Sequence, residues 1–289
     1  MVAISGFTIV RNAVRLAFPI EAAIRSLLPV CEEVVVNVGR SDDGTLDLIR
    51  SIDDPRIRVI ETDWDMTIRD KVLADETLRA MRACRHPWGI YIQADEVLHE
   101  RGADALGEGI RRWDADPRVE GLLVDYLHFY GGFDTLMANR RWYRHEVRAV
   151  RLDPALDIHP FRDAQGFRVG PENRKVRAKL TGARMFHYGW ARPAHALHAK
   201  RALDSEIWQW SDEKKQRGVP LLGWAPGLRA YRGDHPAAAA AYVARWREDP
   251  DRRVAPPVFR VRFLRYWISD IVERVTGIRV FEYRNYRVV

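Results

Sequence analysis

Two adjacent carboxylates, Asp95 and Glu96, end an apolar run that begins at Gly89. The run is rich in aromatic and β-branched residues, which is typical of a buried strand. Neither acid has a lysine or arginine beside it. Because ligands of open α/β sheets bind at the carboxyl ends of the strands, a metal ion that carries phosphates is one candidate for the missing positive charge. The other interpretation is a strand that ends in a solvated acidic turn.

The segments around these acids alternate between two patterns. Apolar runs predict strands at residues 4–10, 32–38, 57–61 and 89–92. Apolar residues spaced three and four apart predict helices at residues 12–28, 46–52 and 68–84. Pro19 predicts a kink or a late start in the first of them. This alternation predicts an α/β fold with a mostly parallel sheet. Residues 1–100 therefore resemble one nucleotide-binding half.

After residue 100 the pattern is less regular. We expect residues 101–192 to complete the same domain and residues 193–289 to form a mainly helical extension. The predicted elements are helices at 100–113, 194–215, 237–241 and 258–275, strands at 121–130 and 140–152, short strands within 154–184, and a loop at 220–236. The last helix interleaves apolar residues with arginines. It either packs on its own domain or lies on an anionic membrane surface.

Composition narrows the class of protein. The formal net charge of +7 suits anionic partners, but the arginines are spread along the chain without a nucleic-acid-binding module, so we expect no nucleic acid partner. Cys31 and Cys84 cannot build a disulfide framework, which indicates a reducing compartment. The sequence shows neither a signal-peptide pattern nor a bilayer-spanning apolar stretch. The expected location is the cytoplasm, either free in it or peripheral on the inner face of the membrane.

Three motifs, in order, resemble the pattern of glycosyltransferase family 2. They are Thr8-Ile9-Val10-Arg11-Asn12, then Val34-Val35-Val36-Asn37 with Ser41-Asp42-Asp43-Gly44-Thr45, then Tyr91-Ile92-Gln93-Ala94-Asp95-Glu96. The resemblance implies the GT-A fold, a mostly parallel mixed sheet flanked by helices. It also implies transfer of a sugar from a nucleoside-diphosphate sugar, usually with inversion at the anomeric carbon, and a divalent cation, Mn²⁺ or Mg²⁺.

The resemblance also assigns candidate ligands of that cation. Asp95 stands at the last position of the family's "D-x-D" motif, and His187 belongs to the cluster Phe186–Trp190, which is similar to a "His-Tyr" cluster of the family. Carboxylate, imidazole, water and phosphate oxygens suit such ions. Gln93 departs from the family pattern, because an aspartate usually opens the motif. For His187, a purely structural histidine is the alternative.

Donor contacts are expected at the ends of adjacent strands. The candidates are Val10, Asn12, Asn37, Asp42, Asp43, Lys71, Gln93, Ala94, Glu96 and Arg192. Asn37 stands where the family often has an aspartate that contacts the base. Glu96 either caps a turn or contacts the ribose. Lys71 either reaches the diphosphate or is only a solvated charge, and Arg192 contacts either the diphosphate or the acceptor.

The family uses an acidic residue as the base that removes the proton of the acceptor hydroxyl. Glu146 is the first candidate, since it follows the aromatic pair Trp142-Tyr143, and burial among aromatic side chains raises a carboxyl pKa. The alternative for Glu146 is an ion pair with a neighbouring arginine. Asp125 and Asp163 are the other candidate bases.

The sequence thus favours a metal-dependent, inverting glycosyltransferase that acts on a cell-surface polysaccharide or a lipid-linked acceptor. A catalytically degenerate nucleotide-sugar-binding protein is the alternative, because of Gln93. A nucleotidyltransferase is less favoured, because the exit of the first strand, Arg11–Arg15, has no glycine to form a triphosphate-binding loop.

Overall fold

The computed structural model of the chain describes residues 2–207, 222–258, 260–282 and 284–289. Within these ranges the strands are β1 (Ile4–Val10), β2 (Glu33–Gly39), β3 (Ile57–Thr62), β4 (Trp88–Tyr91), β5 (Glu96–Leu98), β6 (Gly121–Tyr130), β7 (Thr135–Met137), β8 (His145–Arg151), β9 (Ile158–Phe161), β10 (Gly166–Val169), β11 (Arg174–Trp190), β12 (Leu228–Ala230) and β13 (Tyr286–Val288). The α-helices are α1 (Ile20–Leu27), α2 (Thr45–Arg50), α3 (Val72–Arg82), α4 (Glu100–Trp113), α5 (Ala194–Ile207), α6 (Ala240–Trp246) and α7 (Leu264–Thr276).

The strands form one mixed sheet with the order β3-β2-β1-β4-β8-β6-β11-β10-β9. The first four of these strands are parallel, and β8 lies antiparallel between β4 and β6. Beyond β8, β11 runs parallel to β6 and antiparallel to β5 and β10. The predicted α/β fold with a mixed sheet flanked by helices is confirmed. Its parallel part is concentrated in the N-terminal half.

Both faces of the parallel half are covered, which explains why its strands are continuously apolar. On one face, Val34 and Val36 of β2 belong to a cluster with α1 and α4. On the other face, Val35 packs in a cluster that includes Ala80 and Met81 of α3. Alternate residues of one strand therefore serve two separate cores.

Element boundaries differ from the sequence predictions at identifiable places. The first helix begins at Ile20, so Pro19 marks a late start rather than a kink. The predicted strand 140–152 begins only at His145. The last helix begins at Leu264 rather than at residue 258, after a 3₁₀ turn at Val261–Phe263. The part of the predicted helix 194–215 beyond residue 207 lies outside the described residues. The boundaries proposed at residues 100 and 192 stay a prediction.

The turn after β4 is where the fold places the acidic pair. β5 follows immediately and pairs antiparallel with β11 over Met185–His187. The backbone N–H of Tyr188 donates to the carbonyl oxygen of Asp95 at 2.8 Å. Asp95 is thereby fixed beside the aromatic cluster at the end of β11, although 92 positions separate Asp95 from His187 in sequence.

Candidate active site

Asp95 lies in a buried polar cluster formed by the β4–β5 turn and the end of β11. Its side chain is 12% exposed. Its Oδ2 lies 3.7 Å from Nε2 of His187 and 3.5 Å from Nη2 of Arg192. Burial by itself raises the pKa of Asp95, but the positive charges of a protonated His187 and of Arg192 outweigh it and hold that pKa well below its usual range. The carboxylate is therefore ionised at neutral pH.

A chain of hydrogen bonds orients the ring of His187. Nε2 of His128 lies 2.8 Å from the carbonyl oxygen of Tyr143, and a carbonyl can only accept, so Nε2 of His128 carries the hydrogen. Burial holds the pKa of His128 well below its usual value, which keeps that ring neutral. Its Nδ1 must then accept from Nδ1–H of His187 at 3.0 Å. In neutral His187, Nε2 is consequently the unprotonated nitrogen, and it faces Asp95.

Asp95 and His187 fit as two ligands of one divalent cation. Ligand atoms at about 2.0–2.1 Å from an ion such as Mg²⁺ lie roughly 3 Å apart, so a small side-chain movement closes the 3.7 Å gap. Gly189 keeps this space open, because a Cβ atom there would lie 2.5 Å from Nε2 of His187 and 2.9 Å from Oδ2 of Asp95.

The protein supplies few other ligands. In the part of the chain that the structure describes, no group of three His, Cys, Asp or Glu residues could hold a metal ion. Water and phosphate oxygens would complete the coordination, as is usual for Mg²⁺. Arg192 is fully buried beside Asp95, and its positive charge would compete with a bound cation for the Asp95 carboxylate.

A cavity of about 170 Å³ opens next to Asp95. Its walls combine apolar and aromatic side chains with a few polar groups. The lining residues include Val10, Arg11, Phe18, Trp64, Tyr91, Gln93, Ala94, Asp95, Asp163 and Lys200. Of the candidates from the sequence, Val10, Gln93, Ala94, Asp95 and Asp163 thus share one cavity.

Two predicted donor contacts are turned into the protein instead. The amide of Asn37 is fully buried, donates to Glu76 and accepts from Oγ1 of Thr62. Glu96 is also fully buried, and Arg148 holds both of its oxygens, at 2.8 and 3.0 Å. The backbone N–H of Gln93 also donates to Glu96. Glu96 was expected either to cap a turn or to contact the ribose, and this hydrogen bond is the turn-capping contact.

The other donor candidates do not line the cavity. Asn12 has a left-handed backbone (φ 54°), and its N–H donates to Oγ of Ser41. Asp42 pairs with the side chain of Arg15, and Asp43 accepts from the Arg15 backbone. Lys71 is exposed. Arg192 donates inward to the carbonyl oxygens of Gly189 and Leu16 and stacks over Phe18, which directs it to Asp95 rather than outward.

The three candidate bases differ in their burial and in whether they line the cavity. Glu146 is 1% exposed, does not line the cavity, and accepts from Gln165 and Asn285. Burial raises the pKa of Glu146, in the direction expected from sequence. The alternative ion pairs are not formed, since Arg144 pairs with Glu282 and Arg148 with Glu96. Asp125 is hydrogen-bonded to His145 at 2.7 Å and also lies off the cavity. Asp163 alone of the three lines it.

Sequence reasoning missed several residues of this site. His128, Arg148, Lys200 and Trp64 were not identified. A signal existed for His128, which interrupts an apolar strand and lies on the same register as His187. Lys200 follows the aromatic cluster on a predicted helix, where a solvated cation is the ordinary expectation. Nothing in the local sequence pairs Arg148 with Glu96, because 51 residues separate them.

No family model matches the chain. A glycosyltransferase family 92 protein of Oryza sativa subsp. japonica is 27% identical over 145 residues, covering 44% of this chain and 24% of the relative. The chain thus spans about a quarter of that relative's length. Among solved structures, S. aureus TarS (residues 1–349) is 12% identical with a TM-score of 0.43, covering 74% of this chain and 68% of that one.

A second solved structure is glucosyl-3-phosphoglycerate synthase from Mycobacterium tuberculosis in complex with Mn²⁺, UDP and phosphoglyceric acid. It is 18% identical with a TM-score of 0.31 and covers 45% of this chain and 43% of that one. The curated relative carries family number 92, whereas the motifs resemble family 2, and the glycosyltransferase class is common to both. The resemblance to glycosyltransferases predicted from the motifs is therefore confirmed, over part of the chain.

Proposed function

We propose that this chain is a metal-dependent glycosyltransferase that uses a nucleoside-diphosphate sugar. The observation that carries the proposal is that Asp95 faces Nε2 of His187 beside a cavity lined by aromatic side chains and two cationic ones. A carboxylate and an imidazole next to arginine and lysine suit a cation and a diphosphate together. The partial similarity to a curated glycosyltransferase supports the same class.

The cavity suggests how the donor is held. Trp64 offers a flat apolar surface for the nucleobase, and its indole N–H is buried without a partner among the described residues. Arg11 and Lys200 line the same cavity and would neutralise the diphosphate. A divalent cation held by Asp95 and His187 would stabilise the charge of the departing diphosphate.

We assign the base to Asp163. It is the one candidate carboxylate that lines the cavity with Asp95, whereas Glu146 is enclosed behind Gly166 and Asn285. An acceptor hydroxyl that loses its proton to Asp163 attacks the anomeric carbon as the diphosphate leaves, which gives direct displacement and hence inversion. A glycan or lipid-linked acceptor is the class we propose.

One observation favours a second function. Arg192 is completely buried 3.5 Å from Asp95, so a fixed cation already balances that carboxylate. Together with Gln93 in place of an acid, this suits a nucleotide-sugar-binding protein without catalysis. For location, we propose a reducing compartment such as the cytoplasm, because Cys31 and Cys84 are both free thiols.

The first experiment measures the thermal stability of the full chain with UDP, GDP, CDP or dTDP, each with and without Mn²⁺. We expect one diphosphate to raise the melting temperature in a Mn²⁺-dependent manner. Asp95→Asn should remove that Mn²⁺ dependence, whereas the matched control Asp104→Asn, on an exposed carboxylate of α4, should keep it. Identical Mn²⁺-dependent shifts in wild type and Asp95→Asn would refute the assigned site.

The second experiment follows sugar release and transfer with the donor so identified. Asp163→Asn should keep donor binding and lower turnover by roughly 10²–10⁴-fold, the usual contribution of a general base. Glu146→Gln should keep both, provided that it melts like the wild type. If Glu146→Gln alone abolishes turnover, the base assignment is wrong. If the wild type binds donor and turns over nothing, the binding-only function holds.

A further inference from the structure

Helix α7 exposes its apolar face to solvent, whereas an ordinary surface helix exposes its polar face. Its outward face is apolar, and the exposed fractions there are 46% for Leu264, 47% for Trp267, 60% for Ile268, 58% for Ile271 and 80% for Val275. These positions recur at spacings of three and four, so they form one continuous stripe along the helix. A soluble surface helix normally buries such a stripe.

The inward face of α7 carries the buried Tyr266 and several polar groups, and the polar groups hold the helix in this orientation. Ser269 is buried, Asp270 pairs with Arg229 at 2.7 Å, and Glu273 pairs with Arg279 at 2.7 Å. Rotating the helix to hide the apolar stripe would break these ion pairs and expose their partners. The outward stripe is therefore a consequence of the tertiary contacts.

Apolar side chains beyond both ends extend the stripe into a larger patch. Val261 precedes the helix and is 74% exposed, while Ile278 and Phe281 follow it and are 64% and 83% exposed. Large exposed apolar patches of this kind mark interaction surfaces.

The charges around the patch indicate its partner. Arg260, Arg265 and Arg274 border it and are exposed, and Arg274 also pairs with Asp270. The two acidic residues of the helix, Asp270 and Glu273, face inward, with side chains only 13% and 15% exposed. An apolar stripe with tryptophan on it and a cationic rim suits a helix that lies in the plane of an anionic lipid bilayer.

We propose that the outward face of α7, with Val261, Ile278 and Phe281, docks on an anionic lipid bilayer. None of the helices in the described part of the chain is long and apolar enough to cross one, so the contact is peripheral. At a rise of about 1.5 Å per residue, the helix lays roughly 20 Å of apolar surface on the membrane. The proposal does not depend on glycosyl transfer.

Co-sedimentation of the full chain with vesicles tests this inference. We expect binding to phosphatidylcholine vesicles that contain phosphatidylglycerol, weaker binding to phosphatidylcholine alone, and a further fall with added salt. The double variant Ile268→Asp with Ile271→Asp should bind at least about tenfold more weakly, because two apolar contacts become charged. Both positions are exposed, so its thermal unfolding should match the wild type.

The matched control is the double variant Val14→Asp with Leu180→Asp, at two similarly exposed apolar positions, 49% and 51%, that lie outside α7. It should bind vesicles like the wild type. Arg265→Gln should lower the preference for the anionic vesicles by about fivefold.

Four results would overturn the proposal. The first is that the wild type does not bind vesicles, and the second is that the Ile268→Asp/Ile271→Asp variant binds them as well as the wild type. The third is equal affinity for neutral and anionic vesicles. The fourth is a concentration-dependent dimer, seen by sedimentation velocity without lipid and abolished in the Ile268→Asp/Ile271→Asp variant, because the face would then bind a second copy of the chain.

Discussion

His128 contacts neither the cavity nor the space beside Gly189, yet its hydrogen bonds decide which nitrogen of His187 is free. The carbonyl of Tyr143 fixes the hydrogen on His128, and His128 fixes the hydrogen on His187. Hydrogen bonds of this kind to a metal-binding histidine set its tautomer and ring orientation. His128 is accordingly a positioning residue.

We expect His128→Phe to weaken Mn²⁺ binding by about 10–100-fold, since His187 loses the acceptor that fixes its tautomer. His128→Gln should recover part of the affinity, because an amide can accept and donate in the same place. Isothermal titration of Mn²⁺ measures both, with His159→Phe, at a half-buried histidine of β9, as the control. Unchanged Mn²⁺ affinity in a stably folded His128→Phe would contradict the tautomer argument.

At the scale of elements, a buried ion pair joins the β4–β5 turn to β8. Arg148 and Glu96 have fully buried side chains and make two hydrogen bonds, while the hydroxyl of Tyr126 donates to Glu96 at 2.7 Å. The guanidinium also lies over the rings of Tyr91 and Tyr126. This pair ties the parallel and antiparallel parts of the sheet together directly beneath Asp95.

Replacing Arg148 with Met should lower the free energy of unfolding by roughly 3–5 kcal/mol, because Glu96 remains buried without its cation. The double variant Glu96→Gln with Arg148→Met should recover a large share of that loss, since no unpaired charge is left. Guanidinium denaturation measures both changes. A single-variant loss below about 1 kcal/mol would mean that water reaches Glu96.

At the scale of the whole molecule, the C-terminal segment returns to the site. Arg279 is 7% exposed and donates to the carbonyl oxygens of Trp142 and Ala138, both at 3.0 Å, while pairing with Glu273 of α7. β13 then pairs with β11. The last segment thus supports the loop whose Tyr143 carbonyl orients His128, and it links the outward-facing helix to the site.

Arg279→Leu should therefore destabilise the fold by roughly 2–4 kcal/mol, because buried carbonyls and Glu273 lose a charged donor. Amide hydrogen exchange across residues 138–144 should speed up together with this loss. Arg287→Leu, at an exposed arginine of β13, is the matched control and should change neither quantity by much. If amide exchange across residues 138–144 is equally fast in both variants, the C-terminal segment does not support that loop.

The local sequence determined much of the first hundred residues. Continuous valines at Val34–Val36 require a strand covered on both faces, and Pro19 cannot sit in a helix interior, so both features are readable without tertiary contacts. The position of Asp95 at a strand end also followed from its neighbours, because an apolar run that stops at acids must end at a surface or a ligand.

Tertiary structure decided what those acids face. Glu96 and Asp95 are adjacent in sequence, yet their side chains have different surroundings. Glu96 is buried in an ion pair with Arg148 of β8, whereas Asp95 lines a cavity and lies beside His187. The sequence ranked Glu146 above Asp163, and the fold buried the first and brought the second to the cavity. Likewise, the sequence predicted the apolar stripe of α7. That the stripe faces outward is set by the ion pairs of the helix with Arg229 and Arg279. Strand and helix patterns depend on neighbouring residues, whereas pairing, burial and exposure depend on segments a hundred residues away.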